Sequence, residues 1–127
     1  MPSNLTAVCI DDSPAELDFV AGRVLEAHGI KVVAKEITGT GGLQAVKRWR
    51  PTLVTLDLQL TMMHGQEVLR DIIASKIDTL VFVASGSSQL KKTCMEMGAA
   101  AFFTKPYDDI LTWRGMETVL KERGLLE

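Results

Sequence analysis

The chain has 127 residues, 46% of them hydrophobic and 24% charged, with a formal net charge of −2. That is the size of one globular domain, with enough apolar residues for a proper core. The charge gives no reason to expect nucleic-acid binding, which usually shows a basic domain, and no run approaches the roughly 18 apolar residues of a membrane span. The opening Met1-Pro2-Ser3-Asn4 lacks the basic and apolar regions of a signal peptide. Cys9 and Cys94 lie far apart with no metal-ligand spacing, as expected of buried thiols in a reducing cytoplasm.

Short apolar runs alternate with amphipathic stretches five times. The first predicted strand, Thr6–Ile10, runs into Asp11-Asp12. Ser13-Pro14-Ala15-Glu16 then reads as a capping box with proline at the first helical position. Leu17, Val20, Ala21, Val24 and Leu25 follow at helical spacing, and Gly29 stops the helix. A second strand is predicted over Lys31–Lys35. A second helix follows from about Gly42 to Arg50, with Leu43, Val46 and Trp49 inward and Pro51 behind it.

The third strand, Leu53–Leu56, ends at Asp57. Its helix spans about Gln66–Ser75, with Val68, Leu69, Ile72 and Ile73 on one side. The fourth strand, Leu80–Ala84, ends in Ser85-Gly86, and a helix from near Ser88 shows Leu90, Cys94 and Met97 before Gly98. The fifth strand, Ala100–Thr104, ends in Lys105-Pro106. The last helix covers about Asp108–Arg123 with Ile110, Trp113, Met116 and Leu120 as its stripe, and Gly115 in its middle costs roughly 1 kcal/mol relative to Ala.

Strict β and α alternation with continuously apolar strands predicts a single α/β domain: a (βα)5 doubly wound, flavodoxin-like parallel sheet covered on both faces. Such sheets bind ligands beyond the carboxyl ends of their strands. With the second strand at the edge, in the order 2-1-3-4-5, the other four ends stand together and bring Asp11, Asp12, Asp57, Ser85 and Lys105 to one place. Three carboxylates at close quarters repel unless a cation joins them or one stays protonated. Oxygen ligands suit Mg²⁺, and an Asp carboxylate can attack phosphorus to give an aspartyl-phosphate. Lys105 and Ser85 would then meet other oxygens of the phosphoryl group. Taken singly, each residue also fits a turn, a helix cap or a solvated loop.

With these motifs in this order and spacing, the chain resembles the receiver domain of two-component response regulators over essentially its whole length. Asp11-Asp12 looks like that family's acidic pair, and Asp57 to Gly65 like its phosphoacceptor segment. Val81 to Gly86 is similar to the strand ending in the switch hydroxyl, and Gly98 to Pro106 to the Gly-Ala…Lys-Pro ending. The resemblance implies that Asp57 accepts a phosphoryl group from a histidine kinase or histidine phosphotransfer protein. It implies Mg²⁺ on Asp12, Asp57 and the Gln59 backbone carbonyl, with Asp11 acting through water. Lys105 would pair with phosphoryl oxygens, and Ser85 and Phe102 would form the switch.

A stand-alone cytoplasmic receiver of the chemotaxis type is the expectation: not an enzyme with turnover, reading out to a downstream protein through helix four, strand five and helix five. Trp113 is a candidate interface aromatic on that side. Thr61 stands where the family usually has proline, His64 where it has a small or acidic residue, and Gly86 where alanine is common. Gln59 and Ser87 occupy positions that tune dephosphorylation, and the Lys105-Pro106 bond is commonly cis in the family. The rival readings are a pseudo-receiver that binds partners without phosphorylation and a Mg²⁺-dependent aspartyl-phosphate phosphatase. The latter commonly needs a second acid where Gln59 stands.

Thr38-Gly39-Thr40-Gly41-Gly42 lacks the spacing of a phosphate loop and reads as a flexible lead-in to the second helix. His64 reads as a turn residue rather than a metal ligand or phosphoryl carrier, and His28 as a dipole partner at a helix C-terminus. Met62, Met63, Met95 and Met97 read as core or surface filling before they read as a soft partner surface.

Overall fold

A computed structural model describes residues 4–60, 64–105 and 108–127. Thr61, Met62, Met63, Pro106 and Tyr107 lie outside the described residues, and with them the expectations about the missing proline, the methionine pair and the Lys105-Pro106 bond. Five parallel strands form one sheet in the order β2-β1-β3-β4-β5. They are β1 (Thr6–Ile10), β2 (Lys31–Glu36), β3 (Leu53–Asp57), β4 (Leu80–Ser85) and β5 (Ala101–Thr104). Every residue of β3 is buried, as a central strand covered on both faces requires.

Helix α1 starts as Pro14–Asp18, widens into π-type turns over Phe19–Leu25 and closes with a 3₁₀ turn, Glu26–His28, at left-handed Gly29. The others are α2 (Gly39–Trp49), α3 (Gly65–Ala74), α4 (Lys91–Met97, preceded by a 3₁₀ turn at Ser88–Leu90) and α5 (Asp109–Glu122). One face of the sheet packs Val8, Ile10, Val54, Leu56, Val81 and Val83 against α2, α3 and α4. The other packs Ala7, Cys9, Leu53 and Phe82 against α1 and α5. Cys9 and Cys94 are buried on opposite faces, so neither can reach the other. Among the described residues no helix is long and apolar enough to cross a membrane.

Several helical expectations change. Helix α2 begins at Gly39, because the Thr38 hydroxyl caps it by accepting from the Gly41 N–H at 3.0 Å; the glycine stretch is helix, not a flexible lead-in. Its buried stripe is Gly42, Ala45 and Val46, and a Cβ at Gly42 would lie 2.5 Å from Ile10 Cδ1. Trp49 sits in the last turn, where left-handed Arg50 takes the chain away, so it is 47% exposed, with the Arg48 guanidinium 5.2 Å from its ring centroid. Ile73 and Ile110 also lie outside the core, at 39% and 59% exposure, because the apolar stripe extends past the helix area the sheet covers. Trp113 is buried and stacks on His28 with ring centroids 4.4 Å apart, so it locks α5 to the end of α1 rather than offering an interface. Gly115 has a packing reason: a Cβ there would lie 2.7 Å from the Phe103 ring.

Candidate functional site

The carboxyl edge of the sheet gathers the polar residues. Asp11 follows β1, its N–H donates to the Glu36 carbonyl at 3.1 Å, and its Oδ1 accepts from the Ser13 N–H at 2.9 Å. Asp57 ends β3, and its Oδ1 accepts from the Gln59 N–H at 3.2 Å. Both acids are buried, whereas Asp12 is exposed. Carboxylate oxygens of Asp11, Asp12 and Asp57 lie within 4.8 Å of one another. Their places at the ends of predicted strands one and three had pointed to this trio.

Lys105 follows β5, where its N–H donates to the Ser85 carbonyl at 2.8 Å and fixes the strand end to β4. Its ammonium reaches Glu16 Oε2 at 2.7 Å, Asp11 Oδ2 at 3.3 Å and Asp57 Oδ1 at 3.4 Å. Burial disfavours its charged form, but the hydrogen bond to Glu16 and the charges of Asp57 and Asp11 outweigh burial and raise its pKa. Burial also pushes the Asp11 carboxyl up to about 7; the Asp57 charge adds to this, while the Ser13 N–H and Lys105 act against it. One ammonium therefore leaves negative charge uncompensated. The donor set, three carboxylates with two of them buried, fits a small hard cation such as Mg²⁺.

Ser85 ends β4, is buried, and its hydroxyl accepts from the Ser87 N–H at 3.1 Å. Phe102 pairs with Val83 across β4 and β5 and is half-buried against the α2–α3–α4 face. Ser85 stands two residues beyond Val83, on the same face of the pleat as Phe102. Gln59 is exposed in the loop after β3. His64 holds the N-cap position of α3 and is exposed, as a turn residue is.

Two contributors escaped sequence reasoning. Glu16 was read as the return arm of a capping box. The Ser13 hydroxyl does accept from the Glu16 N–H at 3.3 Å, but the Ser13 N–H is taken by Asp11, and the Glu16 carboxylate goes to Lys105 instead. That pairing spans 89 positions, beyond any local spacing rule. Gly65 is the second. A Cβ there would fall 2.3 Å from Leu58 Cα, and its N–H donates to the Leu58 carbonyl at 3.1 Å, so α3 presses directly on the loop leaving Asp57.

Residues 7–112 match the family model described as the response regulator receiver domain. The chain belongs to the response regulator receiver domain family. It is 31% identical over 109 residues to a protein-glutamate methylesterase/protein-glutamine glutaminase from Bacillus licheniformis, across 84% of this chain and 30% of that protein. It thus spans about a third or less of the length of the curated relatives it matches. Among solved structures, it superimposes on CheY in the CheX-CheY-BeF3-Mg+2 complex from Borrelia burgdorferi with a TM-score of 0.86, at 23% identity over 93% of this chain and 90% of that one. The signal receiver domain of a Luxo repressor protein from Vibrio parahaemolyticus gives 0.83 at 28% identity, over 95% and 93%. The chain is a receiver domain of two-component signalling with the CheY-like fold.

Proposed function

We propose that this receiver is a Mg²⁺-dependent phosphoacceptor switch with Asp57 as its nucleophile. The observation that carries the reading is the position of the Asp57 carboxylate: it ends the central strand, pairs with the Lys105 ammonium at 3.4 Å, and lies within 4.8 Å of carboxylate oxygens of Asp11 and Asp12. The phosphodonor is a phosphohistidine of a kinase or phosphotransfer protein. A bond forms between a carboxylate oxygen of Asp57 and phosphorus. The P–N bond to imidazole breaks, and its electron pair stays on the ring nitrogen, which takes up a proton. Asp12, Asp57 and the Gln59 backbone carbonyl would hold Mg²⁺, with Asp11 acting through water; the cation supplies charge neutralisation for the transferring group. Lys105 holds a second phosphoryl oxygen, and the Ser85 hydroxyl, released from the Ser87 N–H, a third.

The switch follows from placement. If Ser85 turns to the phosphoryl group, space opens on the face where Phe102 is only half-buried, and the α4–β5–α5 side changes shape. Ile110 and Leu111 at the start of α5 and Met95 on α4 are exposed apolar side chains there, which supports that side as the surface a downstream protein reads. Each chain would take one phosphoryl group, without substrate turnover. Intact mass after incubation with Mg²⁺ and acetyl phosphate tests this: one phosphoryl adduct in the wild type, none in Asp57→Asn and none with chelator. A wild type that never gains the adduct makes the chain a pseudo-receiver, and steady hydrolysis of unrelated phosphomonoesters makes it a phosphatase.

A further inference from the structure

Lys105 is held by more anions than phosphoryl binding needs. An ammonium has three N–H donors, and here three carboxylates stand in reach of them. The shortest contact, at 2.7 Å, is to Glu16, which does not belong to the trio grouped within 4.8 Å. Glu16 is the third residue of α1, and its carboxylate is not the Ser13 cap partner, because Asp11 already fills that role. The Lys105 side chain is 14% exposed and that of Glu16 44%, so the cation is enclosed while this anion leans in from the solvent side.

We propose that Glu16 is a positioning residue that acts through Lys105: its carboxylate holds the ammonium in the resting site and competes with the phosphoryl oxygens for it. This inference rests on the phosphoacceptor reading above and adds a residue that sets its poise. A phosphoryl oxygen arriving at Asp57 displaces one of the three carboxylates. Asp11 and Asp57 are buried and costly to strip of a partner, whereas Glu16 is half in water and rehydrates readily. Glu16 is therefore the contact that yields. The same carboxylate adds negative potential at the trio and draws Lys105 partly away from Asp57, which favours cation binding. Glu16 thus weakens phosphoryl binding and strengthens Mg²⁺ binding, two effects of opposite sign from one residue.

The test uses trifluoroberyllate, a phosphoryl mimic, and Mg²⁺ alone, each titrated by amide NMR shifts. In saturating Mg²⁺, Glu16→Gln is expected to bind trifluoroberyllate about three-fold more tightly than wild type, and to bind Mg²⁺ alone about two-fold more weakly. Glu16→Asp keeps the charge but shortens the arm, and is also expected to tighten the mimic. In a Lys105→Met background, Glu16→Gln is expected to lose most of its gain in mimic affinity, while a weakening of Mg²⁺ binding remains because the Glu16 charge acts on the cation directly. Where Lys105→Met binds the mimic too weakly to titrate, the Lys105 ammonium resonance in lysine-labelled protein reports the same contact and is expected to shift in Glu16→Gln. Unchanged or weaker mimic binding in Glu16→Gln, the same gain without Lys105, or an ammonium resonance blind to Glu16→Gln would each overturn the proposal while leaving Asp57 as phosphoacceptor. A wild type that binds Mg²⁺ but no mimic overturns the phosphoacceptor reading, and this inference with it.

Discussion

Adding one methyl group at Gly65 is expected to damage both the fold and the site. A Cβ there would stand 2.3 Å from Leu58 Cα, 2.8 Å from the Asp57 carbonyl oxygen and 2.9 Å from the Leu58 carbonyl carbon. All three are backbone atoms, so no rotamer change relieves the contact; the loop must retreat or α3 must lift by about 1 Å to restore ordinary van der Waals distance. Overpacking of this kind costs about 1–3 kcal/mol, and stretching the 3.1 Å hydrogen bond from the Gly65 N–H to the Leu58 carbonyl adds about 1 kcal/mol. The helix preference of Ala over Gly returns less than about 1 kcal/mol at a first-turn position. The net expectation for Gly65→Ala is a loss of about 2–3 kcal/mol in urea unfolding, or a melting midpoint lower by about 10 °C for a chain of this size. Because the displaced loop begins at Asp57, Mg²⁺ affinity should fall in the same variant. A Gly65→Ala protein within about 0.5 kcal/mol of wild type, with unchanged Mg²⁺ binding, would refute the reasoning.

Other consequences are as direct. Asp11 titrates at about 7 in the folded chain and near 3.8 in the unfolded one, so the folded state holds a proton that the unfolded state releases between those values. Metal-free stability should therefore fall as pH rises from about 4 to 7, by up to about 4 kcal/mol at about 1.4 kcal/mol per pH unit. Asp11→Asn should flatten that slope in chelator, and added Mg²⁺ should restore wild-type stability at pH values above it; a metal-free profile that rises over this window contradicts the burial argument. Gly115→Ala drives a methyl to 2.7 Å from the Phe103 ring and should destabilise by about 1 kcal/mol despite its better helix propensity, with Phe103→Leu relieving most of the loss in a double-mutant cycle. Cys9 and Cys94 are fully buried, and burial pushes the Cys9 thiol up to about 11, so neither should react with iodoacetamide at pH 8 until urea unfolds the chain.

The strands were legible because each is an apolar run bounded by polar residues, and buried parallel strands have to be that. Their order was legible only through the polar tips: Asp11, Asp57, Ser85 and Lys105 make chemical sense together, and strand two has no comparable tip. Helical faces were read less well. Periodicity extends a stripe indefinitely, whereas packing ends where the sheet ends, which is why Trp49, Ile73 and Ile110 emerge into solvent. Trp113 erred in the opposite direction, since its stacking partner, His28, comes from another helix. Glu16 shows the same limit at the site. Its spacing from Ser13 fits a local capping rule, but its charge is satisfied by a lysine at the far end of the chain. Gly115 looked like a defect in α5 until Phe103 on β5 supplied the reason.

The central claim is that Asp57, and no other side chain, takes the phosphoryl group. After reaction with acetyl phosphate and Mg²⁺, borohydride reduction converts an aspartyl-phosphate to homoserine, which peptide mass mapping can place. Homoserine at position 57 alone is the expected result. Phosphate on His64, homoserine at position 11 or 12, or an unmodified chain would contradict it.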